Sequence, residues 1–460
     1  MSFVSLEFAA FFPVVTLIYF LTRHDWRWAV LLAASCAFYM AFIPKYIFIM
    51  ATLILVDYCA GLLLEPLRGT RRTLVLVTSL VSNLGFLCAF KYNHIFKPGT
   101  PWIFPLGLSF HTFQSMSYTI EVYRGRQKAE RHLGIYALYV MFYPQLCAGP
   151  IERPQHLIAQ FRERHDFSQQ RLWRGLVLMA TGFFKKLLVA DTFAIIVNHV
   201  YGQPREYSGP ALWITLYAFA IQLYYDFSGY TDIARGSALV MGFSLLENFK
   251  SPYLAASIPE FWSRWHMSLT SWLRDYVYIP LGGSAAGSAR GIFNAMLVFF
   301  LCGIWHGSTV NMAIFGLLNG VLYACGRLSG PLRIKGALKL SRWLNVAVTF
   351  NIIILAFTFF RAPDLETARY IYTHLFKASR PFDWGALVPA TLAAPVAVSI
   401  ILVVLLEIIR SLHSGQFFGK LGSFARWSTY HACFIALIVI TYFKVVGGAA
   451  RPRQFIYFQF

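Results

Sequence analysis

CGIWHGSTVNMAIFGLLNG, residues 302–320, lies within a run of 36 residues, Gly291–Gly326, that contains no Asp, Glu, Lys or Arg. As one straight helix this run would be about 54 Å long, whereas the apolar core of a bilayer is only about 30 Å thick. We therefore expect the run to double back as a helical hairpin that turns near Gly303 and Gly307. Such a turn places His306 deep in the membrane.

His306 is the first candidate functional residue. Ionisable side chains inside a membrane are costly and rare, so an imidazole at this depth is a functional candidate by default. The alternative is a packing histidine that donates a hydrogen bond to a backbone carbonyl exposed at the glycine break. The surrounding sequence has to decide between the two.

The composition indicates a polytopic membrane protein. Hydrophobic residues make up 57% of the 460 positions and charged residues only 13%, which is typical of chains that cross a membrane repeatedly. Uncharged stretches near the length of a spanning helix recur at 73–90, 343–360, 386–406 and 428–443. We predict an all-α fold of about ten to twelve crossings with re-entrant or interfacial helices.

The whole chain, residues 1–460, is predicted to form a single membrane domain. Within it we distinguish three parts: N-terminal crossings in 1–132, a core with both candidate histidines in 133–330, and C-terminal crossings in 331–460.

The net charge of +20 invites a nucleic-acid interpretation, but the distribution of cations argues against it. With the N-terminus outside, loops assigned to the inside hold 26 of the 40 Lys and Arg residues, outside segments hold 11, and three lie at or within crossings. This bias satisfies the positive-inside rule. The charge is therefore a topology signal, with some attraction to anionic lipid.

Two further segments depart from simple crossings. Residues 133–150 are apolar but contain Pro144 and Gly149, which predicts a broken or re-entrant segment. Residues 221–242 carry Asp226, Asp232 and Arg235 among aromatic and small residues. The i, i+3 spacing of Asp232 and Arg235 favours an internal ion pair that fixes helix packing.

The segment FWSRWHMSLTSWLRDYVYIPLGG, residues 261–283, holds a second histidine, His266. Its aromatic residues recur at helical spacing, which predicts one amphipathic helix at the interface. His266 lies on the apolar face and, taken alone, indicates a packing residue. Two inward-facing histidines 40 positions apart form a more specific pattern.

Common catalytic motifs are missing from the sequence. There is no GxSxG, Walker or HExxH motif, and the seven cysteines are too scattered for a metal site, so no metal is expected. A histidine in a dry pocket suits proton transfer from a hydroxyl nucleophile during acyl transfer.

Long motifs in the same order resemble the membrane-bound O-acyltransferase superfamily, in the bacterial branch that contains alginate O-acetylation and D-alanyl transfer membrane proteins. The motifs that carry the resemblance are PLGLSFHTFQSMSYTIEVYRG (105–125), YPQLCAGPIERP (143–154), YYDFSGYTDIARG (224–236), PEFWSRWHMSLTSWLRDYVYIPLGG (259–283), GIWHGSTVNMAIFGLLNG (303–320) and the terminal FIYFQF. A lone WHG would carry little weight, whereas this set covers nearly the whole chain.

The resemblance implies a ring of helices around a thin centre, with a funnel that reaches the family's essential histidine. That histidine maps onto His306 and the second family histidine onto His266. It also implies location in the bacterial inner membrane and a cytoplasmic donor, acetyl-CoA, used as substrate with no bound cofactor. The final acceptor would be an exported polysaccharide of alginate, cellulose or peptidoglycan type, reached through a periplasmic acetyltransferase or esterase-like partner protein.

The hypothesis from the sequence is a polysaccharide O-acetyltransferase with His306 as catalytic base and His266 as a second catalytic residue. The candidate substrate-binding residues are Arg264, Trp265, Asp275 and Trp305. Arg264 and Asp275 are candidates for the donor entrance, the alternatives being an Arg that reaches lipid headgroups and an Asp near a helix end.

Two rival functions remain at this level. A transporter or flippase would use His306 and Asp226 as a proton relay, and usually shows broken helices in matching halves, whereas the sequence has one clear broken hairpin. A non-catalytic scaffold that recruits a periplasmic enzyme is the other rival.

Overall fold

The computed structural model describes residues 1–93, 105–285, 287–328, 339–377, 382–388, 396–397, 399–400 and 454–456. The predicted crossing at 428–443 and most of that at 386–406 lie outside these ranges. In the described ranges all regular structure is helical and no β-strand occurs, which confirms the all-α fold class. Helices satisfy their backbone hydrogen bonds internally, as a membrane requires.

Four helices in the described ranges are long and apolar enough to cross a bilayer, which agrees with a polytopic membrane protein. They are Pro44–Leu64, Gly69–Lys91, Ser288–His306 and Ser341–Arg361. Helix Leu6–Leu21 is apolar but shorter. The total of ten to twelve crossings stays a prediction.

The chain divides into two compact units. Unit 1 comprises Met1–Thr181 and Tyr230–Glu247, and unit 2 comprises Gly182–Gly229 and Asn248–Phe460. The helices of unit 1 are Leu6–Leu21, His24–Met40, Ile47–Leu64, Gly69–Lys91, Leu108–Tyr123, Leu133–Met141 and Pro154–Arg162. Helices Gln169–Phe184 and Pro210–Met241 contribute residues to both units.

Unit 2 contains the region of both candidate histidines. Its helices are Asp191–Gly202, Ile258–Arg264, Met267–Leu273, Ser288–His306, Val310–Leu328, Lys339–Arg361, Leu365–His374 and Trp384–Leu387, with π-helical turns at Lys185–Ala190 and Arg274–Tyr278. The single membrane domain of residues 1–460, with its three parts 1–132, 133–330 and 331–460, stays a prediction.

Unit 1 contains a buried carboxylate inside a candidate span. Asp57 accepts hydrogen bonds from Ser79 Oγ at 2.6 Å and from Asn83 Nδ2 at 2.8 and 2.9 Å. These neutral donors compensate for the loss of water around the side chain. The three residues thereby tie helix Ile47–Leu64 to helix Gly69–Lys91.

The apolar segment 133–150 is broken, as predicted. Helix Leu133–Met141 has nine residues, about 14 Å at 1.5 Å per residue, and cannot span a bilayer. Buried turns follow it, and their backbone finds partners in the protein. For example, Tyr143 N–H donates to Ser35 Oγ at 3.0 Å.

The predicted ion pair between Asp232 and Arg235 is wrong. Arg235 Nη1 lies 3.6 Å from Glu247 Oε1 instead. The i, i+3 spacing is compatible with a pair between Asp232 and Arg235, but it does not determine the partner. The helix ends at Met241, and the carboxylate that pairs with Arg235 follows this end, at Glu247.

A glutamate and a histidine join three segments of unit 1. The buried Glu152 accepts a hydrogen bond from Leu246 N–H at 2.6 Å, and its other oxygen lies 2.6 Å from His156 Nδ1. The His156 side chain is 38% exposed. The hydrogen bond to Glu152 raises the pKa of His156 above its usual value of 6.5.

This pair predicts a pH-dependent contribution to stability. Because the folded-state pKa of His156 is raised, the contribution is fully present below about pH 6.5 and is lost as the pH rises through the folded-state value. The difference in melting temperature between wild type and His156→Gln should therefore shrink from mildly acidic to alkaline pH. Glu152→Gln is the control background: there, the effect of His156→Gln on the melting temperature should depend less on pH. If the difference between wild type and His156→Gln stays constant with pH, the assignment is contradicted.

The charge-free run forms the predicted hairpin in unit 2. Helices Ser288–His306 and Val310–Leu328 are joined by three residues. A Cβ atom on Gly303 would lie 2.3 Å from the Met312 carbonyl oxygen, and one on Gly316 would lie 2.5 Å from the Phe299 carbonyl oxygen. The two backbones are therefore in direct contact, which only glycine at these positions permits.

We expect Gly303→Ala to destabilise the protein by about 1–3 kcal/mol, because the added methyl group meets backbone on the facing helix. The matched control is Gly85→Ala, in another apolar helix, where an added Cβ meets no atom within 4 Å. Melting of both variants in detergent, followed by tryptophan fluorescence, checks the difference. Equal melting temperatures would show that the hairpin does not depend on this contact.

Candidate functional site

The helix that carries His266 is interrupted at this residue. The prediction of one continuous helix through 261–283 is wrong, since helix Ile258–Arg264 ends before Trp265 and a new helix, Met267–Leu273, begins after His266. Hydrogen bonds from outside the segment hold the break: Lys250 N–H donates to the Arg264 carbonyl and Met267 N–H to the Asn248 carbonyl, each at 3.0 Å. The predicted aromatic stripe nevertheless remains buried at Trp262, Trp265, His266, Leu269, Trp272 and Leu273.

Trp305 connects the two histidines. Its ring centroid lies 4.8 Å from that of His306 and 6.4 Å from that of His266. Phe227 lies 4.7 Å from His266 at one end, and Phe360 lies 5.3 Å from His306 at the other. We call these five residues the histidine row. Residues far apart in sequence thus form one continuous line of ring contacts.

Both histidines of the row are buried, His266 being 1% exposed and His306 9% exposed. His306 is the last residue of helix Ser288–His306, where the helix macrodipole presents its negative end. An imidazolium formed at this position is stabilised by the negative end of the helix macrodipole. The row therefore combines a dry environment with local support for a transient positive charge.

The base of the hairpin is fixed at the opposite end from His306. Arg327 donates to Tyr278 Oη at 2.7 Å and to Ser284 Oγ at 3.0 Å. Arg290 lies 16 residues before His306, about 24 Å along the helix axis. The charged ends of the hairpin are thus separated from the histidine row by most of the thickness of a bilayer core.

The predicted entrance residues Arg264 and Asp275 are paired locally. Arg264 Nη2 donates to Glu260 Oε1 at 2.5 Å, one helical turn away, and Asp275 accepts from Arg274 Nε at 2.8 Å. Both side chains are about one third exposed. Arg264 and Asp275 lie in the same stretch of chain as His266, from Ile258 to Tyr278, and each forms its own ion pair.

Trp265 packs within an aromatic cluster. Its ring lies 5.1 Å from Phe249 and 5.5 Å from both Phe261 and Phe357. Trp305, by contrast, contacts both histidines. Of the four predicted substrate-binding residues, Trp305 is the one placed in the histidine row.

Unit 2 contains a buried ion cluster around Lys186 that the sequence does not predict. Lys186 Nζ lies 2.6 Å from Asp226 Oδ1 and 2.9 Å from Asp191 Oδ1, and it donates to the Gln454 carbonyl at 3.1 Å. Asp226 also accepts from Ile456 N–H at 2.8 Å. A lysine in the apolar stretch after Gly175 was the available signal, but the identity of its partners depends on the fold.

This cluster argues against the transporter hypothesis. The proposed relay needs Asp226 to exchange protons with His306, but Asp226 is engaged by Lys186 and by backbone, and Lys186 is itself only 1% exposed. A buried ion pair that is satisfied in this way supports packing.

Unit 1 contains a surface cavity of about 540 Å³. Its lining includes Glu65 and Arg131, which pair at 2.9 Å, and Glu130 and Arg162, which also form an ion pair. None of the predicted site residues lines it. We therefore interpret the cavity as a surface groove between paired segments and not as the reaction site.

The two buried histidines of this helical membrane protein lie at a helix end and at a helix break. Comparison with known proteins identifies the class of the protein. The chain belongs to the membrane-bound O-acyltransferase family, MBOAT, whose sequence profile matches residues 126–362. It is a multi-pass membrane O-acyltransferase. The matched region is just over half of the chain and contains both histidines, which agrees with the resemblance inferred from the motifs.

Individual relatives extend the match beyond that region. The probable alginate O-acetylase AlgI of Pseudomonas aeruginosa is 35% identical over 385 residues, covering 80% of this chain and 73% of the relative. The peptidoglycan O-acetyltransferase of Helicobacter pylori is 32% identical, covering 78% and 76%. The teichoic acid D-alanyltransferase of Bacillus subtilis is 29% identical, covering 55% and 68%.

We expect Asp226→Asn to destabilise the protein by about 3–5 kcal/mol, because it removes a compensating charge from the buried Lys186. The matched control is Glu366→Gln, which breaks an exposed ion pair with Arg205 and should change stability by less than about 1 kcal/mol. Chemical denaturation in detergent distinguishes the two. Equal effects would show that the Lys186 cluster contributes no more than a surface pair.

Proposed function

We propose that this protein is an O-acetyltransferase that serves an exported polysaccharide. Two groups of relatives support acetyl as the transferred group: the alginate O-acetylases and the peptidoglycan O-acetyltransferase match about four fifths of the chain. The D-alanyltransferase is less similar and covers 55% of it. The final acceptor is a polymer of alginate, cellulose or peptidoglycan type.

The proposed donor is acetyl-CoA, supplied from the cytoplasm. The distribution of Lys and Arg supports a periplasmic N-terminus in the bacterial inner membrane, with Arg290 and Arg327 on the cytoplasmic side. The hairpin then extends from its cytoplasmic base toward the periplasm. A residue at its turn is well situated to serve a donor from one face and an acceptor from the other.

The observation that carries the proposal is the position of His306. It ends a helix about 24 Å from Arg290, is almost completely buried, and belongs to the histidine row. Burial strengthens hydrogen bonds to a reacting carbonyl, because water no longer competes for them. A helix C-terminus next to the ring supports the imidazolium that forms when the base takes a proton.

His306 acts as general base in the proposed step. It takes the proton of the acceptor hydroxyl while the hydroxyl oxygen bonds to the acetyl carbonyl carbon of the thioester. The carbon–sulfur bond then breaks, and the departing thiolate receives the proton from His306. The products are the acetyl ester and free CoA.

The remaining candidates take supporting roles. His266 and Trp305 hold the acyl group beside His306, since Trp305 contacts both rings. Arg264 and Asp275 belong to the donor entrance, where partly exposed charges can meet the polar part of CoA. The contacts of Trp265 favour packing over direct contact with substrate.

A periplasmic acetyltransferase or esterase-like protein is the proposed partner, and it delivers the acetyl group to the polymer. Such a division of labour would leave polymer choice to the partner. Membership of an acyltransferase family favours this function over the transporter and scaffold hypotheses.

We expect His306→Ala to lower acetyl transfer about a hundredfold or more, the size of a general-base contribution. Wild type and variant are reconstituted in lipid discs with radiolabelled acetyl-CoA and the partner, and CoA release and transferred label are measured. The matched control is His374→Ala, because His374 also ends a helix and also stacks on an aromatic ring, Tyr370.

Normal activity in a folded His306→Ala protein would refute the role of this residue. If both proteins bind labelled acetyl-CoA but neither consumes it with the partner present, transport or a scaffold function would be favoured instead.

A further inference from the structure

His266 occupies a backbone conformation that few residues adopt. Its φ of 45° and ψ of 52° lie in the left-handed region, which costs an ordinary L-residue roughly 1–2 kcal/mol. The surrounding structure must therefore hold it there. Strain of this kind at a residue of the proposed site prompts the question of what holds it.

His266 also stands at the N-cap position of helix Met267–Leu273. An N-cap residue normally uses its own side chain to accept a hydrogen bond from one of the first free N–H groups of the helix. The His266 side chain makes no such bond. Its ring instead faces Phe227 and Trp305 in the histidine row.

Asn248 performs this capping from a distance in sequence. Its backbone carbonyl accepts from Met267 N–H at 3.0 Å, and its side-chain Oδ1 accepts from Ser268 N–H at 3.2 Å. Asn248 is 0% exposed. One residue thus satisfies the first two N–H groups of the helix, so the helix start does not depend on the His266 side chain.

The residues that follow Asn248 complete the support. Lys250 N–H donates to the Arg264 carbonyl at 3.0 Å, on the other side of the break. The Phe249 ring lies 5.0 Å from Phe227, which in turn lies 4.7 Å from His266. The segment 248–250 therefore holds the backbone on both sides of His266 and also fixes the aromatic ring against which His266 packs.

The geometry points to Asn248 as a positioning residue for acetyl transfer, one that holds His266 at the helix break by capping the following helix through its side-chain oxygen. This inference rests on the proposed function of the histidine row. It concerns the side chain only, since the backbone hydrogen bond persists when residue 248 is replaced.

The experiment compares Asn248→Leu with Asn248→Asp in the lipid-disc assay. Leucine has a similar size but accepts no hydrogen bond, whereas aspartate keeps an oxygen at the same position. We expect kcat to fall on the order of tenfold to a hundredfold in Asn248→Leu with little change in the KM for acetyl-CoA, since a small displacement of a catalytic group has this effect. Asn248→Asp should restore most of the activity.

A matched control tests whether the loss of any hydrogen-bonded asparagine side chain in unit 2 lowers kcat. Asn351 in unit 2 accepts from Tyr217 Oη at 2.6 Å through its own Oδ1, and it belongs to no proposed machinery. Asn351→Leu should lower the melting temperature while leaving kcat of the folded protein unchanged. An equal loss of kcat in the two leucine variants would overturn the inference.

A double-mutant cycle with His266→Asn gives the decisive comparison. Asparagine tolerates the left-handed conformation and can cap the helix itself, so this variant keeps the backbone and removes the ring. In that background Asn248→Leu should cause no further loss of kcat. An undiminished additional loss would mean that Asn248 acts on the fold alone, and would overturn the inference.

Different results would refute the role of the histidine row and the positioning role of Asn248. Wild-type activity in His266→Asn and in His306→Ala would refute the catalytic role proposed for the histidine row, whatever Asn248 does. Loss of activity in both histidine variants, with normal activity in Asn248→Leu, would refute only the positioning role.

Discussion

A helix that ends inside a membrane leaves backbone N–H and C=O groups where water cannot reach them, and this constraint governs both candidate histidines. His306 ends one helix and His266 begins another. Each end needs partners from the protein, because an unsatisfied backbone group costs several kcal/mol in such an environment. At the His266 break the segment 248–250 supplies them, and at the end of the His306 helix Gly307 N–H donates to the Gly303 carbonyl at 3.3 Å. The two candidate histidines thus lie where the fold already requires special support.

The same constraint explains how much of the fold could be predicted. The hairpin follows from quantities that are local in sequence: a run of 36 uncharged residues, a bilayer thickness, and small residues at the turn. The broken segment after Leu133 follows from Pro144 and Gly149 in the same way. Family membership was also predictable, because it rests on long motifs in a fixed order.

The parts that could not be predicted depend on partners distant in sequence. Periodicity alone favoured a continuous helix through His266, because the break is held by Asn248, 18 positions upstream. Lys186 finds its carboxylate at Asp226, 40 positions away. The incorrect pairing of Asp232 with Arg235 has the same origin, since spacing gave no information about Glu247. Burial of the aromatic stripe was nevertheless predicted correctly, because hydrophobic patterning survives a change in helix continuity.

The left-handed backbone at His266 also limits how this site can change. Glycine and asparagine tolerate that conformation best and histidine moderately, while β-branched residues are strongly disfavoured. Few substitutions at this position would therefore preserve the helix break, so evolution or protein engineering has little freedom there. A change in the space beside the histidines is more accessible through Phe227 or Phe360, which contact the histidines from ordinary helical positions. The backbone conformation thus restricts substitution at His266 more than at Phe227 or Phe360 in the same row.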